Sequence, residues 1–197
     1  KNSNIVITSS PMLSEICSEI SGKSNYIKYI SSSINIKRYS PVKKHIEKKN
    51  ITIGWTGTHS SIEYLYILKD VFKILKNKYP QIRFRIISNF VYLLDDIKIE
   101  NIEWNKLTEI EDLLEIDIAI YPLSIDEWVK GKSGLKALQF MALGIPVIAT
   151  KVGMNSKIIK NMENGLLVNN DDDEWVNAID MLYKDHILRN LIGKNSR

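Results

Sequence analysis

A chain of 197 residues with 44% hydrophobic and 25% charged side chains has the composition of a soluble globular protein. That length fits one large domain, or one domain plus part of a second, and excludes a disordered or fibrous chain. The net charge of +4 suits an anionic ligand, the single Cys17 excludes an internal disulfide, and no apolar run approaches the ~20 residues of a membrane span.

The first residues, KNSNIVITSSP, lack the basic-then-apolar layout of a signal peptide. They hold no initiating Met and enter a strand almost at once, which predicts a piece of something longer, in a reducing cytoplasm. NIVIT (4–8) reads as a buried strand and SPMLSEICSEI (10–20) as a helix with Pro11 in its first turn. NYIKYI (25–30) is a second strand, and the irregular stretch after it marks a domain boundary, with residues 1–40 on one side and 41–197 on the other. The run KRYSPVKKHIEKKN (37–50) carries six Lys/Arg against one Glu. Without aromatic interleaving or a nucleic-acid motif it reads as a solvated linker rather than a nucleic-acid site, and it would also suit the surface of an anionic membrane.

ITIGWTG (51–57) is a strand running into a glycine turn. A helix follows, with Ile62, Leu65, Leu68, Phe72 and Leu75 at helical spacing, a capping box at Ser60 and Glu63, and Pro80 just past its end. IRFRIIS (82–88) alternates like a strand, and EIDIAIYP (115–122) has the apolar run of a central parallel strand. Then come a helix at GLKALQFMAL, a strand at IPVIAT, a short helix at MNSKIIKNM, a strand at GLLV and two closing helices from residue 172. The acidic run NNDDDEW (169–175) lacks the glycine and terminal glutamate of a calcium loop and reads as a helix cap. His45, His59 and His186 are scattered, and no Cys/His cluster has metal-ligand spacing, so neither a metal nor a cofactor is expected.

Strand–helix alternation of this kind predicts an α/β fold, a doubly wound parallel sheet with helices on both faces. Ligands then bind beyond the carboxyl ends of the strands, at TGTHSS, SNF and PLSIDEWVKGKSG. The last loop contains Gly131, Lys132 and Ser133, the closing triplet of a P-loop. Its first glycine position is Asp126, however, and Trp128 would sit inside the wrap, so the P-loop reading fails. A helix starting near Ser133 still offers free amides and a positive dipole end, and Lys130, Lys132 and Lys136 add cations. The choice at this stage is between a diphosphate site and ordinary loop solvation.

The order of IGWTGTHSS, DIAIYPLSIDEWVKGKSGLKALQFMALGIPVIAT and NGLLV resembles family-4 glycosyltransferases, which have the two-domain GT-B fold. QFMALGIPVIAT is similar to the family's Glu-Ala-Met-Ala-x-Gly-x-Pro-Val-Val-Ala block, and NGLLV to its Asn-Gly-x-Leu-Val. The resemblance covers about residues 26 to 197, dense from 51. It implies that 41–197 bind a nucleotide-diphosphate sugar and that the earlier residues are the tail of an otherwise missing N-terminal acceptor domain. It places Gly57, Thr58 and His59 on the diphosphate loop, Lys132, Ser133, Gly134, Leu135 and Lys136 on sugar and phosphate, and Gln139, Asn89 and Trp104 at ribose and base. Trp104 reads equally as a core residue. The family's two glutamates, eight residues apart, fall on Gly131 and Gln139 here, and the Arg and Lys after the glycine loop are absent. The implied activity is retaining transfer of a sugar to a glycan, lipid-linked or small-molecule acceptor, with no cofactor. The alternative is a non-catalytic nucleotide-binding or partner subunit.

Overall fold

A computed structural model of the chain describes residues 3–22, 26–40, 43, 47 and 50–197. The first unit is β1 (Val6–Thr8), α1 (Pro11–Ser21) and β2 (Ile27–Tyr29), the two strands pairing in parallel. Ser10 caps α1 by accepting from Leu13 N, and Pro11 occupies the first turn as expected. The buried-strand reading of NIVIT is corrected: Ile5 and Ile7 are 58% and 65% exposed.

The second unit holds β3 (Thr52–Thr56), α2 (Ile62–Tyr66), α3 (Lys69–Lys78), β4 (Arg83–Ser88), β5 (Ile99–Glu103) and α4 (Glu109–Leu114). It continues with β6 (Ile118–Tyr121), α5 (Glu127–Lys130), α6 (Leu135–Ala142), β7 (Val147–Thr150), α7 (Asn155–Ile158), β8 (Leu166–Val168), α8 (Asp172–Lys184) and α9 (His186–Ser196). All six strands from β3 onward run parallel in the order β5-β4-β3-β6-β7-β8. Counted from β3 this is the Rossmann order 3-2-1-4-5-6, which reverses between β3 and β6.

Strand alternation sends side chains to two cores. Ile53, Trp55, Phe84, Ile86, Ile118 and Ile120 join Leu65, Leu68, Phe72 and Leu75 with Trp175, Ile179 and Ile192. Ala119, Val147 and Ala149 join Leu113, Ala137, Phe140 and Ile159 on the other face. Each fully buried aliphatic or aromatic side chain contributes about 1.5–3 kcal/mol, so helices on both faces are what hold this sheet together. The doubly wound expectation is met.

Three local details differ from the sequence reading. The predicted long helix is broken: a 3-10 turn at His59–Ser61 leads into α2, and Leu68 N bonds to Leu65 O before α3 begins. The cap lies at Thr58 and Ser61 rather than Ser60 and Glu63, since Ser61 Oγ accepts from Thr58 N at 3.2 Å. Nor is the basic stretch all solvated linker. Lys43 Nζ lies 3.3 Å from the buried carboxylate of Asp117, which also accepts from Thr52 N, and Arg38 pairs with Glu109. Residues 41, 42, 44–46, 48 and 49 of that stretch, His45 included, lie outside the described residues.

Candidate functional site

Reversal of strand order between β3 and β6 parts the two loops at their carboxyl ends and leaves a crevice there. The glycine loop forms one wall. Gly57 N bonds to Ile87 O, and a Cβ on Gly57 would sit 2.2 Å from the Trp55 ring and 2.8 Å from Ser61 Oγ. No side chain fits there, so the backbone itself forms this wall, with the amides of Gly57, Thr58 and His59 bonded to Ile87 O, Ser61 Oγ and Asn89 Oδ1.

The opposite wall is the loop after β6. Asp126 occupies the would-be first glycine of the P-loop, and its Oδ1 accepts from Val129 N at 3.0 Å to cap α5. Bonds from Ser124 and from the backbone hold its carboxyl below the usual range. Gly134 then turns into α6 with φ 72°, and a Cβ there would strike Ile158 at 2.5 Å. That left-handed turn sets the amino end of α6 at the crevice.

Two cavities flank the first turns of α6. The first, about 170 Å³, is lined by Gly57, Thr58, Ser60, Tyr64, Tyr121, Lys132 and Lys136 among others. The Lys132 ammonium stands 4.9 Å from the centroid of the Tyr64 ring, close enough for a cation–π contact. Burial lowers the Lys136 pKa, and the charge of Glu109 opposes that shift. Burial also pushes the Tyr121 hydroxyl up to about 12, so at neutral pH it is a neutral donor. This cavity is cationic and rich in donors.

The second cavity, about 370 Å³, is lined by Arg38, Tyr39, Trp104, Glu109, Leu135 and Gln139, with Ile34, Asn35 and Lys106 at its edge. Its floor is a buried polar network. Glu109 Oε1 accepts from Trp104 Nε1 and from Gln139 Nε2, both at 3.1 Å. Its Oε2 accepts from Arg38 at 2.9 Å and from the Tyr39 hydroxyl at 3.2 Å. Gln139 Nε2 also donates to the Tyr39 oxygen at 2.7 Å, whereas Gln139 Oε1 is buried with no hydrogen-bond partner.

The residues singled out from sequence therefore divide. Gly57, Thr58, Lys132 and Lys136 line the first cavity. Ser133 and Gly134 shape the turn into α6 without lining it, and Leu135 faces the second cavity instead. His59 is exposed, its ring edge-on to Phe90, and its backbone N donates to Asn89 Oδ1 at 3.0 Å. Asn89 thus braces the glycine loop and is not among the residues that line either cavity. Trp104 and Gln139 do share one cavity. Trp104 is 43% exposed, so the core reading of it is corrected. Both amide N–H groups of Gln139 are taken within the network. Sequence reasoning missed Glu109, Tyr39 and Arg38, whose only signal was an acidic start to α4 and a basic run read as linker. No group of three or more His, Cys, Asp or Glu able to hold a metal occurs among the described residues. None of the described helices is long and apolar enough to cross a membrane.

A doubly wound sheet with a crevice at its switch point defines a domain of the Rossmann-like type. Residues 50–185 match the family described as glycosyl transferases group 1, and the chain belongs to that family. No curated protein sequence matches the chain significantly. Among solved structures it is similar to HepE of Anabaena in complex with UDP and glucose, at 17% identity and TM-score 0.75 over 98% of this chain and 57% of that one. Sucrose-phosphate synthase of Thermosynechococcus elongatus gives 18% and 0.71 over 99% and 53%. A mutant of S. aureus TarM in complex with UDP, fondaparinux and alpha-GlcNAc-glycerol gives 17% and 0.74 over 98% and 39%. The chain thus spans about half the length of the structures it matches.

Proposed function

We propose that residues 41–197 are the donor-binding half of a family-4, GT-B glycosyltransferase that takes a nucleotide-diphosphate sugar. Residues 1–40 are then the tail of the acceptor half. The observation that carries the reading is the pair of cavities on either side of the α6 amino end, one cationic and one floored by a buried polar network. Diphosphate sits over the Gly57–Thr58 turn against Lys132 and Lys136, while ribose and base enter the cavity of Trp104 and Gln139. As the glycosidic bond breaks, negative charge grows on the leaving diphosphate. Fixed cations and amides stabilise that charge more than they stabilise the intact donor, which lowers the barrier. The sugar passes with retention to a glycan, lipid-linked or small-molecule acceptor held by the other half, and this chemistry calls for no cofactor.

A second reading, a non-catalytic nucleotide-binding subunit, is favoured by Gly131, which stands where family-4 enzymes resemble one another in carrying a glutamate. Calorimetric titration of the chain with UDP, GDP and their sugars, repeated on Lys132→Ala, tests the proposal. One diphosphate binding and weakening about tenfold in the variant, roughly 1.4 kcal/mol, supports a donor site. No diphosphate binding to the folded chain abandons it.

A further inference from the structure

A third cavity, of about 370 Å³, lies where the first unit meets the second. Met12, Leu13 and Ile16 of α1 line one side, at the three- and four-residue spacings that share a helix face. Trp128, Gly131 and Lys132, from the loop after β6, line the other. Among the described residues of this lining Lys132 is the one with a charge, and none has a carboxylate, amide or hydroxyl side chain. A glycan needs such groups, because a hydroxyl taken from water and left unpaired costs free energy. Hydrocarbon needs none. Lys132 also lines the first cavity, so the apolar space adjoins the diphosphate site. Trp128 is 77% exposed and Ile16 36%, which leaves a broad apolar face open beside a cation. Gly131 keeps that face apolar. A Cβ there would stand 3.4 Å from Leu13, so the glutamate that the resemblance leads one to expect would set a carboxylate against hydrocarbon.

We propose that the third cavity holds the aliphatic chain of a lipid-linked acceptor, whose head then lies beside Lys132 at the mouth of the first cavity. The inference rests on the donor-site reading above and narrows its three acceptor classes to one. The chain runs between the apolar face of α1 and the Trp128 indole, both of which it removes from water. Donor and acceptor therefore occupy adjoining spaces with one lysine between them, and neither displaces the other.

The test compares two probes with the same head, methyl glucoside and octyl glucoside, the latter kept below its micellar concentration. Each is titrated into the parent chain, Trp128→Ala and Ile16→Gln, with UDP and GDP titrated alongside. Both side chains reach solvent, so neither substitution empties the core, and a melt of each variant checks its fold. The octyl form should bind the parent more than about tenfold tighter than the methyl form, since the added methylenes leave water. Each substitution should cut that ratio by at least about threefold. Octyl glucoside should also bind the chain already saturated with diphosphate; mutual exclusion would put the alkyl chain in the donor's own space and overturns the proposal. Methyl and octyl forms that bind alike, or not at all, overturn it and leave the cavity as a face that another domain covers. So does an octyl preference that both variants keep. If no diphosphate binds the parent, the donor reading fails and the acceptor role falls with it. If diphosphate binds and the octyl preference is missing, only the inference falls.

Discussion

The two cavities share one helix end but are built by opposite means. The first is made of backbone and loosely held cations: a glycine that admits no side chain, the amino end of α6, and Lys132 resting on Tyr64. The second is made of side chains that bond one another, with a single carboxylate, Glu109, taking four donors from α6, the loop after β5 and the segment before β3. A cavity of the first kind draws an anion from any direction and keeps its fold when a lysine is lost. One of the second kind selects by geometry and fails as a unit.

That difference can be broken at the second cavity first. Glu109→Ala leaves the buried Tyr39 hydroxyl, the Gln139 amide and the Trp104 N–H without their acceptor, and should cost about 3 kcal/mol in a denaturant titration. Lys132→Ala, in the other cavity, should leave stability nearly untouched. Equal losses from the two would erase the distinction.

Gly57→Val is the strongest attack on the first cavity. Its Cβ meets the Trp55 ring at 2.2 Å, so the ring or the loop must shift, at about 2 kcal/mol of stability together with loss of diphosphate binding. Stability unchanged and binding intact would show that the loop yields freely.

The smallest effect separates the cavities by proton count. Burial holds the Lys136 pKa below its unfolded value, so the unfolded chain binds the extra proton between the two pKa values. Stability therefore gains from Lys136 as pH rises through the lowered pKa toward the ordinary one. A bound diphosphate favours the charged form, so binding at alkaline pH should take up as much as one proton, measured by calorimetry in buffers of different ionisation enthalpy. Lys136→Met should abolish the uptake, while Gln139→Ala should leave it.

The sequence made the first cavity readable because its parts are local. A glycine ending a strand, a strand-to-helix loop and lysines four apart announce themselves within a few residues. The second cavity escaped because Glu109 meets Tyr39 and Gln139 only after folding, across separations of 70 and 30 residues that no window spans. The elements that carry it were also the faint ones: β5 is an edge strand with half-buried, charged faces, and α4 has six residues. The sheet itself was plain from its apolar, β-branched runs, whereas the break between α2 and α3 leaves no mark in a periodicity that continues through it.

The small sheet of β1 and β2 has a practical consequence. Two strands alone are marginal in water, and among the described residues their outer edges pair with no further strand while Ile5, Ile7 and Ile30 face solvent. Such an edge is a template for another copy of itself. In concentrated solution the chain should be adhesive at that end, with sedimentation that drifts upward with concentration. One lysine in place of Ile7, remote from both cavities, should quiet it while nucleotide binding is unaltered.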